Sequence, residues 1–168
     1  MPANVTNIII AGLGGQGVLT AADILVDAVF AAGHDVKKSE IHGMSQRGGS
    51  VHSDVRFGPR VFSPMIPDGE ADFLVVLSAD QTAVNKYRLR VTGRVIGPDD
   101  VAGVKLPNPR ALNIALIGAL SAHLPIDAAL WESAIRKNLA PKILEMNLEV
   151  FHAVRALSES NLRGPNHA

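Results

Sequence analysis

The chain has 168 residues, 47% of them hydrophobic, with 16 Lys+Arg balanced by 16 Asp+Glu. That length fits one domain with a sizeable core, and zero net charge argues against a nucleic-acid or membrane surface, both of which select for excess basic residues. There is no cysteine, which excludes disulfides, a cysteine nucleophile and any iron–sulfur cluster held by this chain alone.

The opening "MPANVTNIII" lacks a basic region followed by a long apolar segment, so no signal peptide is expected. Val5 to Ala11 is apolar on both faces, as in a central parallel strand. Gly12 to Gly17 is a turn. From Val18 the period becomes helical, with Ala21, Ala22, Leu25, Val29 and Ala32 on one face, and Gly33 ends that helix. "HDVKKSEI" follows as a second strand, completing a βαβ unit. "VHSDVRF", Val51 to Phe57, alternates apolar and polar and reads as an edge or half-exposed strand. "VFSPMIPDG" is an irregular connection, and "DFLVVLS" a central strand. Gln81 to Arg90 reads as a short helix, "GRVIGP" as a brief strand and Val101 to Pro107 as a last strand.

The final third is helical. Asn108 is an N-cap with Pro109 at the first position, and the helix from Arg110 to His123 is apolar nearly all round, with Asn113 its buried polar or interface residue. The apolar stretch Ala111 to Leu124 is too short to span a bilayer, so a cytoplasmic protein is expected. Asp127 caps a helix carrying Trp131 in the core, and Pro141 opens another in which Leu144, Leu148 and Phe151 form a stripe. The fold class is α/β: a Rossmann-like, mostly parallel sheet with flanking helices and a helical C-terminal third. Residues 1–157 form a single domain, and residues 158–168 are read as a flexible tail.

"GLGGQG" fits G-x-G-x-x-G, with Gly12, Gly14 and Gly17 in the three positions. One glycine permits the tight turn, one the close approach of a pyrophosphate, and one the packing of helix on strand. The helix start offers free N–H groups and partial positive charge to an anion. The alternative is a tight turn with no ligand. An NAD site calls for an acid about 20 residues on, to hold the ribose hydroxyls. That region is "VKKSE", where Lys37 and Lys38 precede Glu40. A lysine there suits an adenosine carrying an extra phosphate, as in coenzyme A or NADP. Adjacent lysines on a strand face opposite ways, so at most one meets the ligand, and both are otherwise solvated edge residues.

"SEIHGMSQRGGSVHSDVRFG" is a second glycine loop, expected at the carboxyl edge of the sheet beside the first. "GLGGQGV", "SEIHGMSQRGGSV", "SPMIPDGEADFLV" and "NPRALNIALIGAL" together resemble the gamma-type subunits of 2-oxoacid:ferredoxin oxidoreductases, most of all the small (beta) subunits of the indolepyruvate branch. The resemblance covers about Asn7 to Leu157. It implies a complex that oxidatively decarboxylates a 2-oxoacid, such as an arylpyruvate, to an acyl-CoA. Thiamine diphosphate, Mg and [4Fe–4S] clusters are then held by larger partner subunits, and ferredoxin or another acceptor takes the electrons. The chain is a non-catalytic subunit of a hetero-oligomer, with self-association left open.

On this reading the gamma-type domain helps bind coenzyme A at the subunit interface. Gly12, Gly14, Gly15, Gln16 and Gly17 form the phosphate turn, with the backbone N–H groups of residues 14–17 on the pyrophosphate. Lys37 or Lys38 meets the 3′-phosphate. Ser45, Gln46 and Arg47 belong to the second loop, Arg47 as an oxyanion clamp or an interchain ion pair. Glu40 and His42 orient that loop or face the partner's thiamine site. His42 and His52 are structural rather than metal ligands, because no ligand set with metal spacing accompanies them. Between "FLVVLS" and "NPRALN" the chain is shorter than the family pattern, which puts a helix or strand there in question. Two alternatives stand beside this: a stand-alone NADP-dependent oxidoreductase, opposed by the lack of a Tyr/Lys pair, and a structural subunit with an empty glycine turn.

Overall fold

The computed structural model describes residues 4–42 and 49–164. Five strands form one sheet: β1 (Thr6–Leu13), β2 (Asp35–His42), β3 (Ser50–Gly58), β4 (Ala71–Val76) and β5 (Leu89–Ile96), in the order β2-β3-β1-β4-β5. β4 is parallel to β1 and β5, whereas β3 is antiparallel to both β1 and β2. Four strands therefore run one way and β3 opposes them. The helices are α1 (Val18–Ala31), α2 (Asp80–Asn85), α3 (Leu112–Ser121), α4 (Ala128–Asn138) and α5 (Pro141–Leu162). The α/β class, the central β4 and the helical last third match the sequence reading.

The two faces of the sheet are packed differently. Ile8 and Ile10 of β1, Val55 and Phe57 of β3 and Val75 of β4 point into one large core with α1, α3, α4 and α5. Ile9, Ala11, Leu74 and Val76 point the other way, into a smaller cluster closed by Ile66. In the large core Trp131 is fully buried, its ring centroid 6.2 Å from that of Phe151. α3 is buried almost throughout, as its uniform apolarity requires, and crosses α5 closely at Gly118.

Four expectations change. β3 is not an edge strand but lies between β1 and β2, so β2 is not the neighbour of β1. Its alternating pattern reflects a buried polar network rather than solvent. Asp54, 1% exposed, accepts from Arg88 Nη1 and Nη2 at 2.9 and 2.6 Å and from the Ile66 N–H at 3.2 Å. Arg56 donates to Asn7 Oδ1 at 2.8 Å and to the Ser63 and Met65 carbonyls at 3.0 and 3.3 Å. Together these groups pin the irregular segment 59–70 across the smaller cluster, which the two prolines and bends of "VFSPMIPDG" keep out of any ladder. Second, Val101 to Pro107 is not a strand. Val101 ends a short 3-10 turn (Pro98–Val101), and Gly103 packs against Leu157. Third, the segment after β4 is a short α2 followed by a 3-10 turn (Lys86–Arg88) that delivers Arg88 to Asp54. Fourth, α5 runs to Leu162 and half-buries its last turns, so residues 158–162 are helical rather than tail.

Two predictions follow from this packing. A Cβ on Gly118 would lie 2.8 Å from the Phe151 carbonyl oxygen and 3.2 Å from Val154 Cβ. Gly118→Val should therefore push α3 from α5 and cost about 1–3 kcal/mol, read by chemical denaturation; an unchanged midpoint would contradict the close crossing. Burial alone would raise the Asp54 pKa, but His52, Arg88 and the Ile66 N–H outweigh it and hold the carboxyl at about 2, below the ordinary 3.8. Because the folded value is depressed, the stabilisation is present above pH 3.8 and is lost as pH falls through about 2. It amounts to about 2 kcal/mol. The Asp54→Asn protein should be less stable at neutral pH and show a shallower loss of stability across that acid window.

Candidate functional site

The carboxyl ends of β1 and β2 and the start of β3 meet at one edge of the sheet, since Leu13 pairs with Ser50 and His42 with Val51. The glycine turn and Gly49, where the described chain resumes before β3, thus lie side by side. They are joined directly: the Gly14 N–H donates to the Gly49 carbonyl at 2.9 Å. Gln16 closes the turn on itself. Its N–H donates to the Leu13 carbonyl at 3.1 Å, and its Oε1 accepts from the Leu13 N–H at 2.7 Å. Gly15 and Gly17 both have positive φ, 88° and 89°, conformations that glycine adopts without steric cost. Gly12 has no room for a side chain, with Val18 Cγ2 2.9 Å from where a Cβ would sit.

This pattern narrows the expected phosphate cradle. Of the four N–H groups proposed as donors, two are already engaged, that of Gly14 by the Gly49 carbonyl and that of Gln16 by Leu13. Those of Gly15 and Gly17 have no backbone acceptor among the described residues, and the first turn of α1 after Gly17 lacks intrahelical acceptors as at any helix start.

Facing this turn is the start of α3. A 3-10 turn (Pro109–Ala111) leads into it, and Asn108 caps that turn, its Oδ1 accepting from the Arg110 N–H at 2.9 Å, with Pro109 at the turn's first position. Asn113 is 8% exposed. Its Nδ2 donates to the Gly17 carbonyl at 3.3 Å and its Oδ1 accepts from the Ile114 N–H at 2.9 Å, so it is a buried polar residue with backbone partners. Between the two helix starts lies a cleft of about 750 Å³, a size usual for small-molecule sites. Gly15, Gln16 and Gly17 form one wall and Asn108, Arg110 and Asn113 another, while Leu139, Ile143 and Met146 make a third, apolar wall. Arg110 is exposed and makes no ion pair among the described residues. The cleft therefore combines two helix N-termini, an available guanidinium and an apolar wall, which suits an anionic ligand with an apolar portion.

The expected lysines are elsewhere. Lys38 sits mid-strand opposite Val55, and its Nζ lies 2.5 Å from Asp23 Oδ1 on α1 and 2.6 Å from Glu40 Oε1. Burial lowers its pKa, but the two carboxylates outweigh this and raise it, so Lys38 is a charged tie between β2 and α1. Lys37 pairs with Arg56 in the register and faces the opposite side of the sheet, away from α1. Neither lines the cleft. Glu40 is engaged by Lys38, and His52 Nδ1 stands 3.3 Å from Asp54 Oδ1 in the buried network. Ser45, Gln46 and Arg47 lie outside the described residues. Among those described, no three His, Asp or Glu side chains group as a metal site, and no helix is long and apolar enough to cross a membrane. Arg110 was missed as a site residue. Its signal was the N-cap and proline of "NPRALN", which mark a helix start without revealing what that start faces.

Comparison with known proteins gives the family and the fold. The family model described as pyruvate ferredoxin/flavodoxin oxidoreductase matches residues 7–107. The chain is 32% identical to an indolepyruvate oxidoreductase subunit of Pyrococcus horikoshii, over 91% of this chain and 96% of that one. In fold it is similar to the gamma subunit of a keto/oxoacid ferredoxin oxidoreductase from Geobacter sulfurreducens, with a TM-score of 0.75 at 20% identity, covering 93% of this chain and 97% of that one. It is also similar to a 2-oxoglutarate:ferredoxin oxidoreductase from Magnetococcus marinus solved with 2-oxoglutarate, coenzyme A and succinyl-CoA bound. There the TM-score is 0.73 at 19% identity, over 92% of this chain and 31% of that one.

A Cβ on Gly17 would lie 2.4 Å from Asn113 Nδ2, whereas one on Gly15 meets nothing within 4 Å. Both substitutions carry the same left-handed backbone cost of about 1–2 kcal/mol. Gly17→Ala should therefore lower the melting temperature distinctly more than Gly15→Ala, and equal losses would contradict the contact.

Proposed function

The chain belongs to the pyruvate ferredoxin/flavodoxin oxidoreductase family, and from that membership we propose that it is the small subunit of a 2-oxoacid:ferredoxin oxidoreductase and binds the phosphates of coenzyme A in the cleft between α1 and α3. The observation that carries this reading is the convergence of the glycine turn, the start of α3 and Arg110 on one cleft at the carboxyl edge of the sheet. The N–H groups of Gly15, Gly17 and the first turn of α1 meet the pyrophosphate, and Arg110, which lines the cleft where the lysines of β2 do not, pairs with a phosphate. The apolar wall of Leu139, Ile143 and Met146 accommodates the less polar part of the ligand.

In the family's reaction thiamine diphosphate supplies the decarboxylation chemistry and iron–sulfur clusters the electron path. A chain without cysteine does not fit a cluster, so those thiolates belong to other subunits. Its own residues hold and orient the thiol substrate while the acyl group forms on a larger partner. The products are an acyl-CoA, carbon dioxide and two electrons for ferredoxin or another acceptor. Indolepyruvate or another arylpyruvate is the 2-oxoacid, following the Pyrococcus relative. A stand-alone NADP enzyme is disfavoured because the chain matches an oxidoreductase subunit over 91% of its own length and 96% of the relative's.

Calorimetric titration of the subunit purified with its partners tests this. Coenzyme A should bind, NADP⁺ should not, and Arg110→Ala should weaken coenzyme A about tenfold or more, the loss of one charge-assisted contact. NADP⁺ binding in place of coenzyme A, or purification without any larger thiamine-bearing subunit, would overturn it.

A further inference from the structure

We propose that Asn113 is a positioning residue for this cleft: its carboxamide bridges the Gly17 carbonyl to the first turn of α3 and so fixes the spacing of the two helix starts that face the ligand. The inference rests on the cleft being the coenzyme A phosphate site.

Three features carry it. Asn113 is a buried polar residue in the first turn of a helix that is mostly apolar and buried, where a Leu or Ala would pack without needing partners. Both ends of its amide are used, one across to α1 and one within α3. Nδ2 donates to Gly17, whose carbonyl also accepts the first intrahelical bond of α1 from the Ala21 N–H at 3.0 Å. Oδ1 accepts from Ile114, which belongs to α3. Finally, the fit is close on the other side too, since the amide occupies the space a Gly17 side chain would need. Gly17 is the N-cap of α1 and carries one of the two turn N–H groups left for a ligand. The Gly17 carbonyl shares its peptide plane with the Val18 N–H, one of the free donors in the first turn of α1, so a shift of that peptide changes the aim of the Val18 donor directly and disturbs the adjoining Gly17 N–H through one Cα. Asn113 acts through Gly17 rather than by replacing it, and a loosened bridge leaves all the ligand-facing groups present but misplaced.

The test is a set of coenzyme A titrations on the assembled complex, with melting temperatures measured alongside. Asn113→Asp keeps size and the acceptor for Ile114 but replaces the donor to Gly17 by a carboxylate that also repels a phosphate, so it is paired with the neutral Asn113→Leu, which loses the donor without adding charge; both should weaken coenzyme A binding about tenfold or more. Asn113→Ser, smaller but still a donor, should fall between these and the wild type. Gly17→Ala and Asn113→Ala should be non-additive, because removing the amide opens the space the new Cβ needs. If Arg110→Ala weakens coenzyme A while Asn113→Leu and Asn113→Ser leave its dissociation constant unchanged and move only the melting temperature, Asn113 is merely structural and the proposal fails. Additive behaviour in the double variant would equally overturn it. If neither Arg110→Ala nor the Asn113 variants alter binding, the assignment of the cleft itself fails, and this inference with it. Where Asn113→Asp does not assemble, the serine variant and the double variant decide.

Discussion

The architecture of the candidate site depends on one close approach, that of the Gly17 peptide to Asn113. Gly17 must take a positive φ to turn β1 into α1, and its carbonyl must point at once into α1 and toward α3. Only a residue without a side chain meets both demands, because a Cβ would collide with the amide. From this contact the cleft follows. Two helix starts that are far apart in sequence are brought face to face, and the polar ends of both open onto the same space. The glycine turn alone is a half-site, with two of its four N–H groups consumed by its own closure and by the second glycine loop.

The sheet distributes its burden unevenly. One face carries the large helical core, which supplies most of the apolar burial. The other carries a small cluster under the pinned segment 59–70, and there the chain buries Asp54 and Arg88 as a bidentate pair. Such a pair replaces hydration by mutual contacts, and losing either partner leaves an uncompensated buried charge at a cost of about 3–5 kcal/mol. Its physical effect is to fix one geometry for the segment. Phe62, 81% exposed, and Met65 are displayed on the outer side of that fixed segment.

Much of this was visible in the residues. β1, β4 and α3 were readable because segments buried on every side need uninterrupted apolar residues, and the Asn108–Pro109 pair marks a helix start by its own chemistry. β3 was misread because alternation reports polarity and not exposure. His52, Asp54 and Arg56 alternate with apolar residues, yet they face a network closed by Asn7 and Arg88, and neither of these partners is near in sequence. The surroundings of the lysines were hidden for a related reason. Their opposite orientations follow from strand geometry, but which one meets Asp23 depends on where α1 crosses β2. The cleft combines residues from the two ends of the chain, so its second wall could be recognised only once α3 was seen to return to the edge where β1 ends. The family resemblance, by contrast, was carried by the glycine loops and "NPRALN" together and agrees with the relatives found.

The central claim is that the edge shared by α1 and α3 holds the phosphates of coenzyme A. An experimental structure of the assembled complex with coenzyme A tests it most directly. The account predicts the pyrophosphate within hydrogen-bonding distance of the Gly15 or Gly17 N–H, with the Arg110 guanidinium on a phosphate oxygen. Coenzyme A bound with its phosphates remote from both the glycine turn and Arg110 would contradict it.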